Sequence, residues 1–153
     1  MPAFAGVLAI LLVAACRGAA GSASHSPTEN LGADYAAIVT PSDAATAELW
    51  SAVTAQSTDT ATIRAAANVC FDADMKMNSN LLAFEKKVPA NVQRDIETAR
   101  TATSKEIADL KLMTASTTDD QLMGAFDAFA ADETPLESAF VVLRGDLDSP
   151  TPS

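Results

Sequence analysis

The feature that most limits the folds open to this chain is an apolar beat at intervals of three and four residues, interrupted only at capped positions. It is clearest at Ile63, Ala67, Cys70, Met77, Leu81 and Phe84, a spacing that gathers these side chains on one face of a helix. Thr58-Asp59 stands where such a helix needs an N-cap, and Glu85-Lys86-Lys87 brings basic residues to its end, where the helix dipole favours them. A third segment begins at Pro89, carries Val92, Ile96, Ala99, Thr103, Ile107 and Leu110, and fades over Thr114 to Thr118. A fourth opens on the capping box Thr118-Asp119-Asp120-Gln121 and carries Leu122, Phe126 and Phe129.

The first and last segments carry prolines that need interpretation. Thr40-Pro41-Ser42-Asp43 places a proline at a first helical position behind a hydroxyl cap, and Ala45, Leu49, Trp50 and Val53 follow at helical spacing. This predicts a shorter first helix over 41–56. Thr134-Pro135-Leu136-Glu137 is a second capping box within the fourth segment, yet Leu136, Phe140 and Leu143 keep the beat. Two readings stay open: one helix kinked at Pro135, or two nearly collinear helices ending at Gly145. The second, third and fourth segments are matched in length, about 40 Å each if fully helical, and short connections make them antiparallel neighbours. The prediction is an all-α chain, an antiparallel up-and-down four-helix bundle over 31–147.

The stretch before the bundle is of another kind. Residues 1–16 have no charged side chain, and the apolar run from Val7 to Val13 ends too near Arg17 to cross a membrane as a helix of roughly 20 residues. The tetrad Val13-Ala14-Ala15-Cys16 resembles the lipobox of bacterial lipoproteins, although the basic start usual in such signals is missing. The resemblance implies a signal peptide over 1–15, with Cys16 as the lipidated N-terminus of the mature chain, held by palmitate-type acyl chains. The location it implies is extracytoplasmic, on the outer face of the cell membrane or the periplasmic side of the envelope. Two plainer readings stay beside it: a secretory signal cut near Ser22-Ala23-Ser24, and a buried N-terminal helix in which Cys16 is only a small apolar residue. Residues 17–30, rich in Gly, Ala and Ser, read as a flexible tether, and 148–153 as a flexible tail.

Charge narrows the function classes. Twenty acidic against ten basic side chains give a formal net charge of −10, which excludes a nucleic-acid role without a basic stripe, and none is found. The same charge opposes adhesion to anionic lipid, so attachment to the membrane falls to the acyl chains at Cys16. The Ala-, Asp- and Thr-rich composition is similar in style to uncharacterised envelope lipoproteins of high-GC, actinobacterial-type bacteria, which implies an unknown envelope protein as partner.

No catalytic constellation is found. The sole histidine, His25, falls in the tether, so Cys70 and the serines have no imidazole in the folded region to activate them. Asp72 and Asp74 are two apart and face different sides of a helix, while Asp119 and Asp120 sit in a first turn where the dipole favours them. No cofactor is implied. Cys70, Asp74 and Met77 share one helical face and are weak candidates for a soft metal site, against ordinary core packing. Asp74 is the hardest of the three to place, because a buried carboxylate needs a partner, a proton or a cation. A lysine or arginine of a neighbouring helix, or a place at the stripe's edge, is the plain expectation. The sequence thus predicts a lipid-anchored, non-enzymatic helical protein acting through protein contacts in the envelope. The alternatives are a binding module for a metal ion or small apolar ligand near Cys70, and an unrecognised enzyme.

Overall fold

The computed structural model of the protein describes residues 31–55 and 59–148. The expected signal peptide over 1–15, Cys16, the expected tether over 17–30, Thr58 and residues 149–153 lie outside the described residues. Four helices follow one another: α1 Leu31–Thr54, α2 Thr60–Glu85, α3 Ala90–Ala115 and α4 Asp119–Asp148. There is no strand among the described residues, and consecutive helices pack side by side as the predicted all-α four-helix bundle.

The predicted caps account for most of the boundaries. Asp59 is the N-cap of α2, and its carboxylate accepts a hydrogen bond from the Thr62 N–H at 2.7 Å. Pro89 occupies the N-cap position of α3 without a side-chain bond. At the start of α4 the Thr118 hydroxyl accepts from the Gln121 N–H at 3.2 Å, and Gln121 Oε1 accepts from the Thr117 N–H at 3.0 Å. Both ends of the box therefore satisfy backbone donors that a helix leaves open.

Pro41 behaves differently from expectation, and Pro135 decides between its two readings. α1 begins ten residues before Pro41, not at it, and ends at Thr54, so the first helix is neither confined to 41–56 nor much shorter than its neighbours. The Thr40 hydroxyl does not cap anything; it donates to the Ala36 carbonyl at 2.7 Å, one turn back. Burial explains the extension: Tyr35 is 4% exposed and lies tilted between Phe84 and Phe140, with ring centroids 6.5 and 6.3 Å away. An aromatic buried that fully contributes on the order of 2 to 3 kcal/mol, comparable to the roughly 3 kcal/mol that an interior proline costs. Pro135 likewise lies inside one unbroken α4, which also runs through Gly145 to Asp148. The reading of two helices ending at Gly145 is thereby corrected, and Asp148 belongs to the helix and not to the tail.

Core positions recur every seven residues on each helix. Ile63, Cys70, Met77 and Phe84 alternate with Ala67, Asp74 and Leu81 on α2; Val92, Ala99, Glu106 and Met113 alternate with Ile96, Thr103 and Leu110 on α3, all buried. The apolar core falls into two clusters. One gathers Tyr35, Phe84, Val92 and Leu147, from the start of α1, the end of α2, the start of α3 and the end of α4. This is the mixture of ends that an up-and-down topology requires. The other holds Leu49, Ile63, Cys70, Met113, Leu122 and Phe129 at the opposite end. Between them lies a layer of buried polar side chains, Ser42, Asp74, Thr103 and Glu106.

Candidate functional site

The helix pairing leaves one seam of the bundle open. α1 packs on α2, α2 on α3 and α3 on α4, whereas α1 and α4, which would close the ring, touch only marginally. The gap is a cleft of about 1220 Å³. One wall is α1, from Tyr35 through Ser42 and Thr46 to Thr54; the other is α4, from Glu133 through Leu136 to Arg144. Met77 of α2 and Glu106 of α3 reach it from the helices behind.

The cleft and the polar layer meet at Glu106. This side chain is 1% exposed, yet it lines the cleft, and its Oε1 has no hydrogen-bond partner among the described residues. Burial, the largest influence, raises its pKa to about 8, and repulsion from Asp74 and Glu133 adds to the shift. Asp74, fully buried on α2, accepts a hydrogen bond from the Ser42 hydroxyl through Oδ1, while Oδ2 is unpartnered. Burial lifts its pKa to about 6, with the Ser42 bond opposing the shift and Asp43 adding to it. Among the described residues the expected lysine or arginine partner is therefore absent. A serine of α1 takes its place, and Asp74 sits in the core and not at a stripe's edge.

On the α4 side, Glu133 accepts from the Trp50 indole N–H at 3.1 Å, across the cleft from α1. Its pKa is raised, chiefly by burial, against the pull of that bond. Trp50 is held from behind by Phe126, edge to face at 4.8 Å. Glu133 follows Phe126 by seven residues and precedes Phe140 by seven, so it occupies a core position of α4 on the same beat. Each helix thus brings a polar residue to the middle of the bundle: Ser42, Asp74, Glu106 and Glu133. Asp43 stands on the cleft wall, its carboxyl pushed upward by burial and pulled back by Arg144.

The three sequence candidates are all buried on one face of α2, as their spacing requires, but they do not form a common pocket. Cys70 packs in the cluster with Leu49 and Phe129, Met77 in the cluster with Tyr35 and Phe84, and Asp74 between the two. The Cys70 thiol lies 3.4 Å from the Thr46 hydroxyl and is pushed up to about 12, mainly by burial and then by Asp74. With no metal bound it is held protonated at neutral pH and is no free nucleophile. Among the described residues no three His, Cys, Asp or Glu side chains gather into a group suited to a metal ion.

Sequence reading missed Glu106 and Glu133. On the third stripe Ile107, which is only half-buried, draws the apolar pattern to itself from the glutamate beside it. The seven-residue spacing from Val92 and Ala99 to Met113 carries the signal that points to position 106. The comparisons leave the reading to this geometry: no family model matches the chain, and neither a curated protein nor a solved structure matches it.

Proposed function

We propose that this chain is a lipid-anchored, non-enzymatic binding module of the bacterial cell envelope that holds a small molecule in the cleft between α1 and α4. The observation that carries this reading is Glu106, a buried carboxylate with an unpartnered oxygen on the lining of an open cleft. A polar layer retained only to fix the register of the bundle would satisfy its members mutually. This one leaves two acceptors open, and bundle cores are where facing helices build ligand sites. Glu106 supports the binding reading over the protein-contact reading, with the site in the cleft and not at Cys70.

The anchor part rests on Val13-Ala14-Ala15-Cys16. No helix of the described residues is long and apolar enough to cross a membrane. Expressed in a bacterial host with a fatty acid label, the wild type is expected to take up label and Cys16→Ala to lose it; undiminished labelling of the variant would remove the anchor. The cleft is tested through Trp50, the sole tryptophan, which stands on its wall. Metabolites of the host's own envelope extract, fractionated and added to the purified domain, should include a fraction that shifts its fluorescence saturably. A flat response across fractions, with Tm unchanged, would return the protein to the contact reading.

A further inference from the structure

We propose that the cleft selects an organic ammonium ion with a single apolar arm, the cationic head seated against Glu106 and Glu133 at mid-bundle. The inference rests on the cleft being a binding site and specifies what the site takes. Charge sets the sign of the ligand. Asp43, Glu106, Glu133 and Glu137 line the cleft, with Asp74 buried behind Ser42 and one cation, Arg144, at the end near Tyr35. An anion in the cleft meets four lining carboxyl groups against one cation, and a neutral ligand without a donor leaves Oε1 open. A hard metal ion needs several oxygens converging on one point, and the carboxylates are spread along the walls. An ammonium head supplies up to three donors from one atom, directed at carboxylates on two helices.

Shape sets the rest of the ligand. From the polar layer toward the start of α1 the lining turns apolar, with Tyr35, Val39, Met77, Leu136 and Phe140. Ser42 to Tyr35 is two turns of helix, about 10 Å, the reach of a medium alkyl chain. Arg144 at that end opposes a second positive charge on the arm. In the free protein Glu106 holds its proton near neutral pH, since its pKa is raised to about 8. Seating an ammonium ion therefore expels that proton to solvent, and the carboxylate formed is neutralised by the bound head.

The experiment titrates the purified domain at pH 7.5 with hexylammonium, 1-hexanol, hexanoate and 1,6-diaminohexane, reading Trp50 fluorescence and heat. Hexylammonium is expected to bind at least tenfold more tightly than the other three. Its heat should vary with the ionisation enthalpy of the buffer, as proton release requires. Glu106→Gln, close in shape and free of the buried charge, should weaken hexylammonium at least tenfold, change hexanol far less and abolish the buffer dependence. Glu133→Gln should also weaken hexylammonium, which guards against a fault peculiar to one variant; circular dichroism of both variants reports their folding. Equal affinity for hexanol and hexylammonium, or indifference to Glu106→Gln, would overturn the ammonium head and leave the cleft a binding site. Tighter binding of the diamine would overturn the single apolar arm. No saturable response to any of the four probes would overturn this inference, while a saturable response to an envelope fraction in the same assay would keep the binding reading.

Discussion

At the scale of the residue, Glu106 destabilises the fold that contains it. A carboxyl group removed from water without a full set of partners costs free energy whether it is ionised or carries a proton. Its neighbours along the heptad, Ala99 and Met113, are apolar and fully buried. Replacing it by leucine removes the desolvated group and extends the apolar core across the polar layer. Glu106→Leu is therefore expected to stabilise the domain by about 1 to 4 kcal/mol in urea unfolding, while ammonium binding is lost. A variant less stable than wild type would mean that Glu106 has partners worth more than its desolvation. Asp74 shows how far single residues were legible in the sequence. Its place on the beat between Cys70 and Met77 announced a buried carboxylate, whereas its partner did not show, because Ser42 stands 32 residues away on a helix expected to begin at the preceding proline. Glu106 was hidden by the isoleucine beside it.

At the scale of the element, capping chemistry was more legible than helix interiors. Asp59, Pro89 and the Thr118 box mark helix starts because each acts within one turn of backbone. Pro41 misled and Pro135 left two readings open because whether a proline begins a helix or is tolerated inside one depends on distant packing. Tyr35 and Phe140 keep the helix intact across the break, and neither contact can be read locally. The chain thus accepts local penalties that substitution should relieve. Pro41 is exposed in the interior of α1, where its ring denies the Ala37 carbonyl a donor. Pro41→Ala is expected to raise stability by about 1 to 3 kcal/mol. Gly124, exposed in α4, has open space where a Cβ would stand, so Gly124→Ala should add about 0.5 to 1 kcal/mol. Thermal unfolding of the two variants and their combination checks this, with additivity expected because they lie on different helices. A destabilising Pro41→Ala would mean that α1 uses the break, for instance to hold Ser42 toward Asp74.

At the scale of the whole molecule, the four-helix topology followed from the beats, but the open seam did not, since amphipathic stripes state that helices pack without stating which pair stays apart. Into that seam and the layer behind it the chain has drawn carboxylates from all four helices, and the pH dependence of stability reports on them together. Asp74 is raised to about 6 and Glu106 to about 8. Asp43 of α1, Asp109 of α3 and Glu133 of α4 are also raised, each mainly by burial. A carboxyl whose pKa is higher in the folded chain than in the unfolded one holds more protons when folded, so stability falls as pH rises between the two values. The contribution is complete below about pH 4, where both states are protonated, declines through about pH 6 as Asp74 ionises, and is lost through about pH 8 as Glu106 follows. Each unit of displacement corresponds to about 1.4 kcal/mol, so Asp74 and Glu106 together weigh several kcal/mol against an ordinary domain's total. Asp59 acts the other way, lowered by its bonds to the Thr62 N–H, but only in the acid range below its ordinary value. Tm is accordingly expected to fall steadily from pH 5 to pH 8.5. General repulsion from a net charge of −10 would push in the same direction, and two variants separate the causes. Asp74→Asn should flatten the lower part of the slope and Glu106→Gln the upper part, whereas a slope set by overall charge would survive both. A Tm that climbs between pH 5 and 8.5 would show that these carboxylates are already ionised and paired in the folded chain. With hexylammonium present the upper part of the slope should flatten in the wild type alone, because the cation stabilises the carboxylate whose ionisation otherwise weakens the bundle.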